Sequence, residues 1–455
     1  MFVNEIVYKN KRRIWIFLAS AIVFQVALLL LFCYKNIFIV FLILCTPPLL
    51  FYIFKKPQIG LWLMAIVSFM NISTWGIRTA LIIPSVLTFM ALSVKILTKN
   101  GKLLGSKQLA YFIIFAVVSL LSFFPSRDLV MWYRGIYGVL GIFVVLILTV
   151  NLIETRDDLW RFIYIIVFTV AAGAIYGLYL FKTSGFLNVL FTMGSYVRGG
   201  SVVADANVWA VSLITVFPLT IALLRRESNL ILKLLLCTVI AILIPSIFAT
   251  FSRGGMLAFS IVVIIVIFKI VKKKFIGIII VLLLLPVAYF ILPLFIKFRI
   301  KSLLSLFQSK SALDFSLLSR FYITRAAFKM FLAHPFLGVG ISNVVSNTGL
   351  YCPSAMHKVA HSIYLEIAAG TGLLGLIPFL AIFFYSFKDF IISYKAFERR
   401  GEKSLADLSF YAGLSLLGVC IAAAFLSIQY NRCIWFLISI SVVIKALVSD
   451  YKLKK

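Results

Sequence analysis

Charge is scarce in this chain, and acid is scarcer still. Of 455 residues, 14 are Asp or Glu and 44 are Lys or Arg, so that only 13% are charged. An ordinary soluble domain carries about 25%. The hydrophobic share is 63%, more than one soluble core could bury. A bilayer accommodates it by acting as solvent for the outer faces of helices. No acidic cluster marks a metal site, and three histidines are too few for a histidine-rich one. The cysteines are Cys33, Cys45, Cys237, Cys352, Cys420 and Cys433. None forms a CxxC pair and five lie in or beside apolar runs, which suits small core residues rather than a disulfide or metal framework. No Walker or nucleotide-sugar motif occurs, and no internal repeat is apparent. No small-x-small cleavage site follows the first apolar run. Lys9, Lys11, Arg12 and Arg13 precede that run, and it is expected to remain as an anchor.

A net charge of +30 would suggest nucleic acid for a soluble protein. Here the basic residues cluster in short connections between apolar runs, as the positive-inside rule requires, so nucleic acid is not an expected partner. Runs long enough to span a bilayer fall near 14–34, 37–54, 59–75, 79–97, 108–124, 133–153, 158–182, 207–224, 230–250, 255–272, 275–297, 362–387, 407–429 and 432–448. The expected fold class is therefore all-α, a polytopic transmembrane bundle of about 12–14 helices. With both termini in the cytoplasm, the inner connections hold Lys55 and Lys56; Lys99, Lys102 and Lys107; Arg225 and Arg226; Lys272 to Lys274; Lys395, Arg399, Arg400 and Lys403; and Lys452, Lys454 and Lys455. The alternation of basic and less basic connections supports both the span count and the orientation.

Two outer connections, about 183–206 and 298–361, are too long to be simple turns, and long loops in compact proteins are usually functional or disordered. Within the second, Leu317, Phe321, Phe328, Phe331 and Leu332 recur at helical spacing, Pro335 stops the helix, and Gly338 and Gly340 mark a turn. Residues 316–333 are expected to form an amphipathic helix on or near the outer membrane surface.

Three segments hold polar residues in expensive places. Arg198-Gly-Gly-Ser-Val-Val-Ala-Asp205-Ala-Asn207 precedes a helix, where Asp205 or Asn207 is expected to cap the free N–H groups. Ser252-Arg253-Gly254-Gly255 is a very short outer turn. There Arg253 either grips a phosphate through its planar fork or anchors the helix end by snorkelling. In His361-Ser362-Ile363-Tyr364-Leu365-Glu366, His361 stands at the mouth of a helix and suits general-base work. Glu366, one turn deeper, is either functional, because burying its charge is costly, or held by a buried hydrogen bond. His334, before Pro335, reads as a helix C-terminal cap.

These segments resemble the motifs of the O-antigen ligase and polymerase family. Arg253-Gly-Gly-Met-Leu257 is similar to its arginine-x-x-x-leucine motif. His361 and Ser362, then nine residues, Gly372, two residues and Gly375 are similar to its second motif. Ala333-His334-Pro335-Phe336-Leu337-Gly338-Val339-Gly340 resembles its loop signature, and Arg320 stands where the family often has another arginine. Asp205-Ala206-Asn207 is similar to an aspartate-proline-asparagine element but lacks the proline. The resemblance covers about 198–380; the first 190 residues match only as a generic helical bundle.

The resemblance implies a membrane glycosyltransferase, moving a glycan from a polyprenyl-diphosphate carrier to a hydroxyl on a glycan, lipid-core or protein acceptor. The reaction would occur at the periplasmic or outer face of a bacterial inner membrane. The carrier arrives activated, so no cofactor, neither ATP nor metal, is expected. Arg253, Arg320 and Arg325 would bind the diphosphate, His361 and Glu366 would be catalytic, and Arg198, Asp205 and Asn207 would support them. The expected division is 1–190, N-terminal transmembrane helices, and 191–450, the ligase-like region with the partly helical loop 298–361. Two rival classes remain: a lipid-linked glycan flippase, which should show repeat symmetry and charges deep in the bundle, and a non-catalytic assembly or receptor protein, whose outer loops would need no converging Arg and His.

Overall fold

The computed structural model describes residues 52–70, 78–99, 103–183, 205–271, 273–291, 315–355 and 359–449. The expected first anchor, at 14–34, and Arg198 lie outside the described residues. All regular structure among the described residues is helical. The chain divides into two compact units, Met1–Leu63 with Ile82–Lys102, and Met64–Leu81 with Leu103–Lys455. The described part of the first comes from α1 (Pro57–Phe69) and α2 (Arg78–Lys99). Gly60 lies directly against Thr88, where a side chain would collide.

The second unit holds α3 (Lys107–Leu121), α4 (Leu129–Leu152), α5 (Arg156–Thr183), α6 (Ala206–Arg226), α7 (Leu230–Ala249), α8 (Arg253–Ile270), α9 (Lys274–Ile291), α10 (Phe315–Ala333), α11 (Val344–Tyr351), α12 (Ile363–Arg399), α13 (Lys403–Ala423) and α14 (Arg432–Val448). Seven of these, α4 to α8, α12 and α13, are long and apolar enough to cross a membrane, so the chain is a multi-pass membrane protein. The central helix is α6: 83% of its apolar window is buried inside the protein, against 28% for α7 and for α8. It packs against α13, where small and hydroxyl residues allow close approach. Ser415 donates across to the Thr215 carbonyl at 2.7 Å, and Gly418 fits against Ile214 and Val262. Pro218, Pro245 and Pro378 sit inside helices, a position that membrane helices tolerate.

The two ends of this unit differ in chemistry. One end carries ion pairs and polar ties between helices: Arg156–Glu402 at 2.6 Å, Arg225–Asp407 at 2.7 Å, and Gln108 donating to Asp389 at 2.7 Å. The opposite end carries the connections that hold the sequence motifs. Two details depart from expectation. The span expected over 407–429 stops at Ala423, and residues 424–431 form an irregular segment before Asn431 caps α14. The helix expected over 316–333 is present as α10, but its protein-facing side is Ile323, Ala326, Ala327 and Met330. Phe321, Phe328 and Leu332 are turned outward.

Candidate functional site

The loop after α10 is built into a break in α12. Gly372 has φ 63 and ψ −164, which no helix accommodates. Its break frees the bonds that Leu373 and Leu374 would make to Ala369 and Gly370 in a continuous helix. The loop replaces both sets of partners. Leu373 donates to the Pro335 carbonyl at 2.7 Å and Leu374 to the Phe336 carbonyl at 3.3 Å. In return Val339 donates to Ala369 at 2.9 Å and Gly340 to Gly370 at 3.0 Å. Each such bond contributes about 1 kcal/mol, and each would be expensive to leave unmade away from water. Gly338, at φ +66, meets the backbone of Ala369 to Thr371, and Gly372 meets that of Phe336. Both need a left-handed conformation and the absence of a Cβ.

The far side of the loop is tied to α3 and α4. Ile341 donates to Ser122 Oγ at 3.0 Å. Asn343 accepts from the Asp128 amide at 2.8 Å and donates to the Asp128 carbonyl at 3.0 Å. Asp128 caps α4 through the amides of Val130 and Met131, and accepts from Ser346. The Met131 N–H, followed by the Ser346 hydroxyl and the Val130 N–H, holds its carboxyl below the usual carboxylate range, against an opposing effect of burial.

His361 lies in the turn that opens α12, partly exposed, with φ +51. A non-glycine residue there carries backbone strain, which persists only where surrounding structure imposes it. Glu366 does so. Its Oε2 accepts from the Ala360 amide at 3.1 Å and from the Ser427 hydroxyl at 3.2 Å. The carboxylate is buried and so fixes the turn from beneath, with Ser362 as the cap residue of the helix.

Arg253 begins α8, where Phe251, at φ +50, turns the chain and the Ser252 hydroxyl caps Gly255 at 3.2 Å. Gly254 lies against Phe425, and Gly255 against Ala210 of α6. Segment 424–431 is therefore common to both motifs. It holds Phe425 against the Arg253 turn, Ser427 on Glu366, and Tyr430 on Ser342 at 2.8 Å. Gly135 and Gly138 of α4 make room for Tyr430.

The other expected residues are less closely joined. Asp205 caps α6 and accepts from Asn207 through both its backbone and side-chain nitrogens, each at 2.9 Å. Arg320 is partly buried on α10, and Arg325 is exposed on its outward face. His334 ends the α10 hydrogen-bond ladder by donating to Met330, and its ring meets the Tyr351 hydroxyl at 3.0 Å. Cys237, Cys352, Cys420 and Cys433 are free thiols. Among the described residues, no three His, Cys, Asp or Glu side chains gather to hold a metal.

Sequence reading missed Ser427, Tyr430 and Asn343. Only Gly135 and Gly138, three residues apart on one face of α4, hinted that a large side chain packs there.

A broken helix spliced to a loop, with a strained histidine and a capped arginine turn at one end of a multi-pass bundle, defines a membrane protein with a built polar site. Residues 238–380 match the family model described as O-antigen ligase. The match covers about a third of the chain and supports glycan transfer of the O-antigen ligase type in general. No curated protein matches the chain.

Proposed function

We propose that the chain transfers a glycan from a polyprenyl-diphosphate carrier to an acceptor hydroxyl on the extracytoplasmic face of a bacterial inner membrane. The observation that carries this reading is the strained, partly exposed His361, held by Glu366 and joined to the Arg253 turn through segment 424–431. In the reaction the acceptor oxygen bonds to the anomeric carbon, the bond from that carbon to the diphosphate breaks, and its electron pair leaves with the diphosphate. Arg253 and Arg320 stabilise the charge that develops there, with Arg325 nearer the outer surface. His361 orients the acceptor and takes its proton. Glu366, whose carboxylate already serves two donors, acts as a positioning residue. Asp205 and Asn207 support the site by shaping the start of α6.

The sorting of charge supports the outward placement. Arg156, Arg225, Lys269, Arg400 and Lys403 lie at the end opposite the motifs, as expected for a cytoplasmic face. A flippase would place several charges deep along the central helices, yet α6 has none between Asn207 and Leu224.

The test is transfer by the purified protein in lipid, given a polyprenyl-diphosphate-linked glycan and a panel of glycan, lipid-core and protein acceptors. One acceptor should gain sugar with release of polyprenyl diphosphate. Movement of donor across the bilayer without transfer would replace this reading with the flippase.

A further inference from the structure

Arg432 opens α14, immediately after segment 424–431. Its guanidinium lies against α4 at Gly141, where an added methyl group would stand 3.8 Å from Nη2. Gly141 is thirteen residues beyond Asp128, the cap of a 24-residue spanning helix. At roughly 1.5 Å per residue this is about 20 Å along the axis, about halfway through the span. Segment 424–431 thus carries the chain inward from the motif-bearing end before α14 begins. On the way, Tyr430 passes over Gly138 to reach Ser342.

A charge at that depth is costly without a partner, and such residues mark ligand sites and pathways. Arg432 makes no ion pair and no hydrogen bond among the described residues; the titratable groups acting on it are Tyr137 and Cys433. The described carboxylates of this end are all engaged elsewhere: Asp128 on its cap and Ser346, Asp205 on Asn207, and Glu366 on Ala360 and Ser427. No described residue thus supplies a counter-charge.

We propose that Arg432 is an anion-binding residue whose ligand is a phosphate group carried by a membrane lipid. A guanidinium fork matches two phosphate oxygens. Tyr137, exposed on α4 beside it, adds a hydroxyl donor on an apolar ring. The carrier's diphosphate and a bilayer phospholipid share this chemistry. Assigning the carrier as the source rests on the transferase reading above; the anion site itself does not.

The test uses the full chain in nanodiscs, with sugar-free polyprenyl diphosphate and phosphatidylglycerol as separate probes. Binding and melting temperature are measured for wild type, Arg432→Gln and Arg432→Lys. Losing charge-assisted hydrogen bonds should weaken lipid-phosphate binding by about 10- to 100-fold in Arg432→Gln. Without probe, the same variant should melt no lower than wild type, because an unpaired charge has been removed. A loss confined to one probe names the source. Wild-type affinity of Arg432→Gln for both probes overturns the proposal. Should that variant fail to fold, Arg432→Lys decides: about tenfold weaker binding supports the site, and wild-type affinity overturns it. Transfer is scored on the same samples. An active wild type with an indifferent Arg432→Gln sinks this site and leaves the transferase reading standing. An inactive wild type whose lipid binding depends on Arg432 does the reverse.

Discussion

The Leu373 amide donates to the Pro335 carbonyl at 2.7 Å, a bond that an unbroken helix would have made to Ala369. Two sequence signatures that start 28 residues apart, at Ala333 and His361, are thereby one backbone structure, since the loop after His334 completes the helix after His361. Irregular backbone at the level of a membrane helix survives only where protein satisfies it, and here another stretch of the same chain does so.

Gly372→Ala and Gly338→Ala should each remove the folded protein from the membrane fraction, or lower its melting temperature sharply. Both residues combine positive φ with backbone contact across the splice. Gly401→Ala is the control. Gly401 also has positive φ, +73, but nothing lies within 4 Å of an added Cβ, so its loss should be only about 1–2 kcal/mol, the left-handed penalty alone. Equal losses in all three variants would mean that the splice contributes nothing beyond conformation.

Arg253→Lys should keep its level in the membrane and lose most transfer, because lysine retains charge but not the fork that holds phosphate oxygens. Donor affinity should fall with it. Near-normal transfer would reduce Arg253 to an anchor for the start of α8.

His361→Ala and His361→Gly separate strain from chemistry. Both should lose about 10²- to 10⁴-fold in transfer rate if the imidazole acts as general base, with donor affinity retained. Glycine accepts φ +51 freely, so His361→Gly should also be the more stable of the two, by about 1 kcal/mol. Parallel loss of donor binding would move His361 into the diphosphate site. A retained rate above about a tenth of wild type, less than a general base would contribute, would remove its catalytic role.

Asp128→Ala should destabilise the protein near neutral pH, the usual direction of losing an N-cap. The folded carboxyl sits below its unfolded value because the Met131 N–H, the Ser346 hydroxyl and the Val130 N–H favour the charged form. Its contribution is therefore fully present above the unfolded pKa and is lost as pH falls through the folded one. Melting curves of wild type and variant should converge across the acid carboxylate range. A constant gap down to low pH would show that the stabilisation does not depend on ionisation.

Much of the architecture is written in the chain because a bilayer demands it. Apolar runs near 20 residues fixed α4 to α8, and Asp205 and Asn229 cap helices where such residues should. The reading overran at 407–429 because Phe425, Leu426 and Ile428 are as apolar as a span. Periodicity located α10 almost to the residue, yet gave no sense of which face is covered. Lipid and protein interior are equally apolar, so the small face of Ile323, Ala326 and Ala327 could pack inward while Phe321, Phe328 and Leu332 turned out.

The site divides in the same way. Local order alone determined that His361 opens a helix and that Arg253 follows a tight turn, because caps and glycines act on neighbours a few residues away. Only tertiary structure decided that Gly372 breaks α12, since the break is tolerable only with the Pro335–Gly340 backbone in place. It alone brought Ser427 to Glu366 and Tyr430 to Ser342, and set Arg432 against Gly141 with no counter-charge among the described residues. Hydrogen bonds and charges are satisfied in space, by whatever the fold delivers, and residue spacing along the chain carries no record of those partners.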